Sequence, residues 1–378
     1  YYPRFCVWEL TLACDMRCRH CGSFAGRPRE RELDTEEALS VAQQLADMRC
    51  ERLTLSGGEP TLRPDWDRIA QALTSRKVRT NVITNGWSWS PEHTRRAIGA
   101  GLENVAFSLD GPESAHDTVR AKPGSYARVM AAIDDCVAAG LPASVVTHIN
   151  ALNARSLREF RQTLHEHGVS SWQIQMGNPA GTMGEHRELV LAPEELLWLV
   201  PEIAAIRTEH PRRPKVFVAD NVGYYGRYER ALRDRAAAIC FWIGCRAGCQ
   251  VIGIESNGNV KGCLSLPSSR HGLDEFVEGN LRDTPLRELW NRPGAFAFNR
   301  AFDTARLAGF CGTCRFADIC RGGCSWSAFC RTGNRFDNPL CFYRVAVEQG
   351  RWDLIDDGEI DRAAHEAGSG DGGAVPVG

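Results

Sequence analysis

The sequence predicts an α/β protein in which six β/α units form a partial TIM-type barrel, followed by a smaller cysteine-rich domain. Two observations support this fold class. Short apolar runs alternate with amphipathic stretches from residue 5 to about residue 211, which is typical of parallel strands connected by helices. All but three of the 16 cysteines fall within residues 14–21 or 240–341. In a 378-residue chain without an export signal, such clusters indicate metal ligation in a reducing compartment.

The predicted elements follow one another regularly. Strands are expected at residues 6–12, 52–56, 80–84, 104–109, 144–149 and 172–176. Amphipathic helices are expected at 34–48, 64–74, 91–100, 125–139, 156–167 and 193–206. The first helix has a clear start signal, because Asp34 is a suitable N-cap and Glu36 and Glu37 lie in the first turn.

The domain boundaries follow from this pattern. We expect the barrel at residues 1–215, a bridging segment at 216–239, the cysteine-rich domain at 240–350 and a partly disordered, glycine-rich tail at 351–378. Hydrophobic residues make up 43% and charged residues 24% of the chain, as in soluble globular proteins. The net charge of −2 argues against nucleic-acid binding, and no apolar run is long enough to span a membrane. The expected location is the cytoplasm.

The first cysteine cluster is the most specific signal. Cys14, Cys18 and Cys21 have the spacing C-x3-C-x2-C and supply three thiolates. Iron–sulfur cubanes normally have four cysteine ligands, so three would leave one iron open to a small molecule. Zinc is the competing interpretation, with His20 as a fourth ligand, although structural zinc normally uses paired ligands.

This pattern at the end of a predicted strand resembles the radical S-adenosylmethionine (SAM) enzymes. In that family the open iron chelates SAM, and one electron then cleaves SAM to a 5'-deoxyadenosyl radical. The run SGGEP, after the second predicted strand, resembles the family's GGE motif and makes four residues SAM-binding candidates: Ser56, Gly57, Gly58 and Glu59. Glycines allow the backbone to approach a ligand closely. The resemblance implies that Glu59 accepts a hydrogen bond from the SAM ammonium.

Other polar residues lie at the C-terminal ends of the predicted strands or shortly after them, where β/α barrels carry their chemistry. The candidates for binding SAM are Asn85, Ser108, Arg120, Arg128, Asn150 and Gln175. By resemblance, Asn85 and Ser108 would contact the ribose or carboxylate. Arg120 and Arg128 would pair with a carboxylate, which suits the arginine fork. Each could instead be a rim residue that satisfies a turn.

Three residues are candidates for catalysis in the pocket: Asp110, His116 and Asp117. His116 and Asp117 could act as acid and base, or they could be solvated loop residues. The aromatic pair Tyr224 and Tyr225 is a further candidate for the pocket wall.

The second cysteine array resembles the SPASM extension of radical SAM enzymes, which carries two auxiliary [4Fe–4S] clusters. The resemblance implies two interleaved ligand sets: Cys245, Cys249, Cys263 and Cys324 for the first cluster, and Cys311, Cys314, Cys320 and Cys341 for the second. Cys240 competes with Cys249, and Cys330 competes with Cys341. A hairpin at residues 252–260 would bring Cys263 back towards Cys249. Two zinc knuckles are the alternative.

The resemblance implies three [4Fe–4S] clusters, SAM, and a flavodoxin or ferredoxin as electron donor. Because auxiliary clusters give an electron an exit, the leading hypothesis is a radical SAM oxidoreductase that oxidises or crosslinks a ribosomally made peptide. The alternatives are a dehydrogenase acting on a sugar or aminocyclitol alcohol in antibiotic biosynthesis, a peptide epimerase, and a non-catalytic iron–sulfur electron carrier.

Two features bear on the substrate. In the sulfatase-maturing branch an aspartate follows the cysteine equivalent to Cys263, whereas Leu264 and Ser265 follow it here, which argues against formylglycine formation. The sequence shows no segment like the N-terminal leader-binding domain of many peptide maturases, which favours a small or leader-free substrate.

Overall fold

The computed structural model describes residues 1–209, 214–233, 240–267 and 275–355. The strands are β1 Phe5–Thr11, β2 Arg52–Gly57, β3 Arg79–Thr84, β4 Asn104–Ser108, β5 Ala143–Ile149, β6 Ser171–Met176, β7 Lys215–Val218, β8 Val251–Ile254, β9 Asn259–Lys261 and β10 Val277–Asn280. They form one open sheet in the order β10-β9-β8-β1-β2-β3-β4-β5-β6-β7. Strands β1 to β7 are parallel, and β8 is parallel to β1.

In the first half of the chain, helices connect successive strands of the sheet. They are α1 Thr35–Asp47, α2 Trp66–Thr74, α3 Pro91–Gly99, α4 Glu113–Arg120, α5 Ser125–Ala138, α6 Leu157–Glu166 and α7 Leu196–Thr208. Short helices dominate the second half: α8 Glu229–Leu232, α9 Leu286–Asn291, α10 Ala297–Arg300, α11 Gly309–Gly312, α12 Ala317–Cys320, α13 Ser325–Thr332 and α14 Phe342–Glu348. In the described ranges, no helix has the length and apolar character needed to cross a membrane.

The strands of the barrel differ in how far they are buried. In β5 every residue except Val146 is buried, as expected for a strand covered on both faces of a parallel sheet. In β2 and β6, buried residues such as Leu53 and Trp172 alternate with exposed or partly exposed polar residues. The open parallel sheet with its connecting helices confirms the partial barrel of six β/α units.

Three elements go beyond the sequence prediction. Helix α4 was not predicted, because its sequence is short and mostly polar. Strand β7 has only four residues, pairs with β6, and spans the boundary expected between residues 215 and 216. The predicted hairpin is present as β8 and β9, and it also extends the barrel sheet because β8 pairs with β1. Ile252 and Ile254 are fully buried at this junction. Most of the expected tail, from residue 356 onward, lies outside the described residues.

Candidate active site and cluster sites

A cavity of about 880 Å³ opens at the C-terminal ends of the parallel strands. Its barrel side is lined by eleven of the predicted residues: Cys14, Cys18, Cys21, Ser56, Gly57, Gly58, Asn85, Ser108, Asp110, Arg120 and Gln175. Its opposite wall comes from the second half of the chain, chiefly Lys261, Leu264, Leu266, Trp326, Phe329 and Cys330. The cavity therefore lies between the three-cysteine motif and the cysteine-rich domain.

The loop after β1 (residues 12–26, the cysteine loop) presents its three sulfurs to this cavity, and each sulfur has a hydrogen-bond donor. Asn85 Nδ2 lies 3.7 Å from Cys14 Sγ, Arg120 Nη1 lies 3.8 Å from Cys18 Sγ, and the backbone nitrogen of residue 25 lies 3.3 Å from Cys21 Sγ. Burial raises the pKa of Cys14 to about 12 and also raises that of Cys18. Binding of iron must therefore displace protons from these thiols.

The chemistry of this donor set fits an iron–sulfur cluster. Soft thiolates with N–H donors at their sulfurs suit such a cluster. Zinc would require its ligands to bind a single ion, whereas each cysteine ligand of a cubane binds a different iron.

The two glycines at the C-terminal end of β2 are required because the backbone there lies in close contact with the chain around the start of the cysteine loop. A Cβ on Gly57, where φ is +139°, would lie 2.2 Å from the carbonyl oxygen of Thr11. A Cβ on Gly58 would lie 2.3 Å from that of Ala13. The backbone N–H groups of Gly58 and Glu59 donate to these same two carbonyls, each at 2.8 Å. The SGGEP segment therefore fixes the path of the chain immediately before Cys14.

The structure shows partners for Glu59 within the protein, and its expected contact with the SAM ammonium stays a prediction. Its carboxylate is 1% exposed and accepts hydrogen bonds from Thr61, Thr84 and the backbone nitrogen of Asn85. Burial raises the pKa of Glu59, and these donors lower it in part. Since both oxygens are occupied within the protein, Glu59 connects the ends of β2 and β3 and does not face the cavity.

Asp110 is the centre of a buried polar network rather than a free acid. It is fully buried; Arg120 Nε lies 2.8 Å and His20 Nε2 lies 3.1 Å from its Oδ2 atom. The backbone nitrogen of His148 donates to Oδ1 at 2.9 Å. Burial alone would raise the pKa of Asp110, but the charges of Arg120 and His20 hold it well below its ordinary value. Asp110 is therefore an ionised partner for Arg120.

Besides Glu59, four predicted residues do not line the cavity. His116 is fully buried, and its Nδ1 accepts a hydrogen bond from the backbone nitrogen of Asp110. Asp117 accepts from the residues at the start of α5. Arg128 is exposed and lies over the ring of Trp87. Asn150 is fully buried and its side chain satisfies the turn after β5. These four side chains therefore support the fold around the cavity.

The ligand set expected for the second auxiliary cluster lines one apolar pocket. Cys311, Cys314, Cys320 and Cys341 all border it, together with Tyr224 and Tyr225. The mutual repulsion of their thiolates adds to burial in raising the pKa of Cys320 and Cys341. Tyr225 stacks on Phe316 with ring centroids 3.9 Å apart. The tyrosine pair thus belongs to this pocket and not to the SAM cavity.

Three of the four cysteines expected for the first auxiliary cluster lie near one another. The charges of Cys245 and Cys263 add to burial in raising the pKa of Cys324. Cys249 is placed by Asn299, whose Nδ2 lies 3.7 Å from Cys249 Sγ and 2.6 Å from the carbonyl oxygen of Cys245. Burial raises the pKa of Cys249, while neighbouring arginines lower it. The fourth ligand of this cluster stays a prediction.

Sequence reasoning missed the wall contributed by the second half of the chain. Lys261 is 1% exposed, and its Nζ lies 3.2 Å from Glu255 and 3.2 Å from the carbonyl oxygen of Leu264. Trp326 and Phe329 lie on α13, directly after Cys324. Their proximity in sequence to cluster cysteines was the available signal, because a segment that holds a cluster near the cavity also brings its neighbours there.

Together, these features define an iron–sulfur protein with an open-site cluster on a β/α scaffold. Residues 8–167 match the family model of the radical SAM superfamily, and residues 245–315 match SPASM, an iron–sulfur cluster-binding domain. The chain therefore contains a radical SAM domain within residues 8–167 and a SPASM domain within residues 245–315.

Curated relatives cover almost the whole chain. The AdoMet-dependent heme synthase of Methanosarcina barkeri is 29% identical over 357 residues, which are 90% of this chain and 97% of that protein. The mycofactocin maturase MftC of Mycobacterium ulcerans is 29% identical over 345 residues, covering 89% of this chain and 86% of the maturase. These relatives support an enzyme.

Solved structures show the same fold. Streptococcus suis SuiB bound to S-adenosylmethionine superimposes with a TM-score of 0.71 and 17% identity, covering 89% of this chain and 76% of SuiB. The protein anSMEcpe with bound AdoMet gives a TM-score of 0.69 at 15% identity, covering 96% of this chain and 100% of that one.

Proposed function

We propose that this protein is a radical SAM oxidoreductase that oxidises or crosslinks a ribosomally made peptide and contains three [4Fe–4S] clusters. The observation that carries the proposal is the position of the cavity. Cys14, Cys18 and Cys21 lie on one side of it, and residues next to SPASM cysteines lie on the other. When bound to the first cluster, SAM supplies the radical that abstracts hydrogen from a C–H bond.

The cavity wall opposite the cysteine loop is suited to hold the substrate. Leu264, Trp326 and Phe329 give it an apolar surface, while the Nζ of Lys261 is occupied by Glu255 and by the carbonyl oxygens of Leu264 and Leu266. Ligand pockets commonly combine a mostly apolar lining with a few polar groups that fix orientation. An apolar or aromatic peptide side chain would fit this lining, and the wall would exclude water from the reacting carbon.

The same segments provide the proposed electron exit. Lys261 lies two residues before Cys263, and Trp326 lies two residues after Cys324. A substrate held against this wall is therefore next to two ligands proposed for the first auxiliary cluster. This adjacency supports net oxidation, with the first electron supplied by a flavodoxin or ferredoxin.

Epimerisation is the second candidate, because one thiol in the wall is outside both ligand sets. Cys330 lines the cavity, and burial raises its pKa to about 12, so it stays protonated near neutral pH. A protonated thiol could return a hydrogen atom to a substrate radical. The resulting thiyl radical would then need one electron and one proton from the external donor before the next turnover.

The discriminating experiment uses anaerobically reconstituted protein, a chemical reductant, SAM and a panel of synthetic peptides. An iron coproporphyrin serves as the contrasting probe, because relatives include heme synthases and an Fe-coproporphyrin III synthase. We expect 5'-deoxyadenosine to form together with a peptide that has lost two hydrogen atoms. Turnover of the porphyrin alone would reject the peptide proposal, and unchanged peptide mass with deuterium uptake from D2O would favour epimerisation.

A further inference from the structure

The three donors at the sulfurs of the cysteine loop differ in charge. Asn85 and the backbone nitrogen of residue 25 are neutral, whereas the guanidinium of Arg120 is a cation 3.8 Å from Cys18 Sγ. Hydrogen bonds from a charged donor are stronger than those between neutral groups. Hydrogen bonds to the sulfurs are also one of the factors that set the reduction potential of an iron–sulfur cluster.

The guanidinium is held in a fixed position. Arg120 is 9% exposed at the end of α4, and its Nε lies 2.8 Å from Asp110 Oδ2. Asp110 is itself fixed by His20 and by the backbone of His148. The end of α4 also binds the cysteine loop directly, since the backbone nitrogen of Arg19 donates to the carbonyl of residue 119 at 2.8 Å. These contacts therefore hold the guanidinium of Arg120 in a fixed position beside the sulfur of Cys18.

Arg120 keeps its charge in this environment. The arginine guanidinium stays protonated in proteins, and the carboxylate of Asp110, 2.8 Å from its Nε, provides a counter-charge. Because Nε is used by Asp110 and Nη1 points to Cys18, this geometry differs from the expected pairing of Arg120 with a carboxylate of SAM.

We propose that Arg120 is a positioning residue that sets the reduction potential of the SAM-binding cluster, with Asp110 as its counter-charge. Reduction adds one negative charge to the cluster. A cation beside Cys18 stabilises the reduced form and makes the midpoint potential less negative, whereas the carboxylate of Asp110 has the opposite effect. This role concerns how readily the external donor can reduce the cluster, and it does not depend on the identity of the substrate.

The test is an EPR-monitored redox titration of the fully reconstituted protein. The relevant cluster is identified as the one whose EPR signal changes when SAM is added. We expect Arg120→Gln to have a more negative midpoint, by at least a tenfold change in the redox equilibrium constant, which equals about 59 mV for one electron. Asp110→Asn, which removes the counter-charge, is expected to have a less negative midpoint.

Two controls separate charge from structure. Arg120→Lys keeps the cation and is expected to lie closer to the wild-type midpoint than Arg120→Gln. Arg95→Gln removes an arginine charge from α3, where the side chain is 73% exposed, and is expected to leave the midpoint unchanged.

The midpoint potential is expected to shift in opposite directions in Arg120→Gln and Asp110→Asn. If Arg120→Gln fails to retain the cluster, the midpoints of Asp110→Asn and Arg120→Lys still test the proposal. A wild-type midpoint in Arg120→Gln would overturn the proposal. So would a shift to more negative potential in Asp110→Asn, because a merely structural defect would move both variants in the same direction.

Discussion

At the scale of single residues, the site depends on side chains whose polar atoms are bound within the protein. Glu59 and Asp110 are both buried carboxylates that follow strands of the barrel, and both have their oxygens occupied by protein donors. An unpaired buried carboxylate would cost several kcal/mol. Their role is therefore to fix neighbouring residues, Asn85 and Arg120, whose nitrogens reach the cluster cysteines.

The close contact at Gly58 leads to the first prediction. In Gly58→Ala the new Cβ would lie 2.3 Å from the carbonyl oxygen of Ala13, so the cysteine loop must shift. We expect the variant to lose most of the SAM cluster, about four irons per chain, measured by iron analysis and Mössbauer spectra. Gly99→Ala is the matched control, because a Cβ there meets no atom within 4 Å. Full iron content in Gly58→Ala would contradict the steric argument.

The buried histidine His116 makes stability depend on pH. Burial lowers its pKa from 6.5 to about 4, so the unfolded state binds a proton more readily than the folded state. The contribution of neutral His116 to the free energy of unfolding is therefore complete above pH 6.5, and it is lost as the pH falls towards 4. From pH 7 to pH 5 the loss amounts to about 2 kcal/mol.

The measurement is the midpoint temperature of thermal unfolding at pH 7 and at pH 5, made under anaerobic conditions on protein reconstituted with its clusters. His116→Gln keeps an acceptor for the backbone nitrogen of Asp110 but does not titrate, so its midpoint should fall less between the two pH values. An equal fall in both proteins would show that other groups govern the acid response.

At the scale of elements, helix capping contributes measurable stability. The side chain of Asp34 accepts from the backbone of Glu37, and the side chain of Glu37 accepts from the backbone of Asp34. We expect Asp34→Ala to destabilise the protein by about 1 kcal/mol, whereas Asp34→Asn should be nearly neutral because asparagine also caps helices. The test compares the denaturant concentration at the unfolding midpoint for the wild type, Asp34→Ala and Asp34→Asn. Equal midpoints in all three would show that the cap is dispensable.

The elements also show what the sequence could predict. The buried strands and amphipathic helices of the barrel were recognisable because each has a local pattern, such as the capping box of α1. Strand β7 and the pairing of β8 with β1 were not recognisable, because β7 is only four residues long and the β1–β8 partners lie 246 residues apart in the chain. Local sequence patterns do not specify which strand from a distant part of the chain pairs with the edge of a sheet.

The same distinction holds for the site. Cysteine spacing predicted two ligand sets, and the four cysteines of one set line a single pocket, while the assignment of ligands to clusters stays a prediction. It did not distinguish residues that face the cavity from residues that support it. His116 and Asp117 have the residue types of an acid–base pair, and only tertiary packing turns them away from the cavity.

At the scale of the whole molecule, iron content tests the assignment of the cysteines. If there are three cubanes, wild-type protein should contain about twelve irons per chain, and Cys341→Ala should lose about four of them. Cys330→Ala should retain all of them, because Cys330 is assigned to the cavity wall. Loss of a cluster in Cys330→Ala with full content in Cys341→Ala would reverse the two assignments.

The pairing of β8 with β1 has a mechanical consequence. The register joins Phe5 to Val251 and Trp8 to Ile254, so backbone hydrogen bonds fasten the SPASM hairpin to the strand that leads into the cysteine loop. A hinge between the two halves would have to break this ladder. If both halves hold iron–sulfur clusters, this ladder would fix the separation between them. Electron tunnelling would then occur across a fixed gap, and substrate entry would be left to the surface loops.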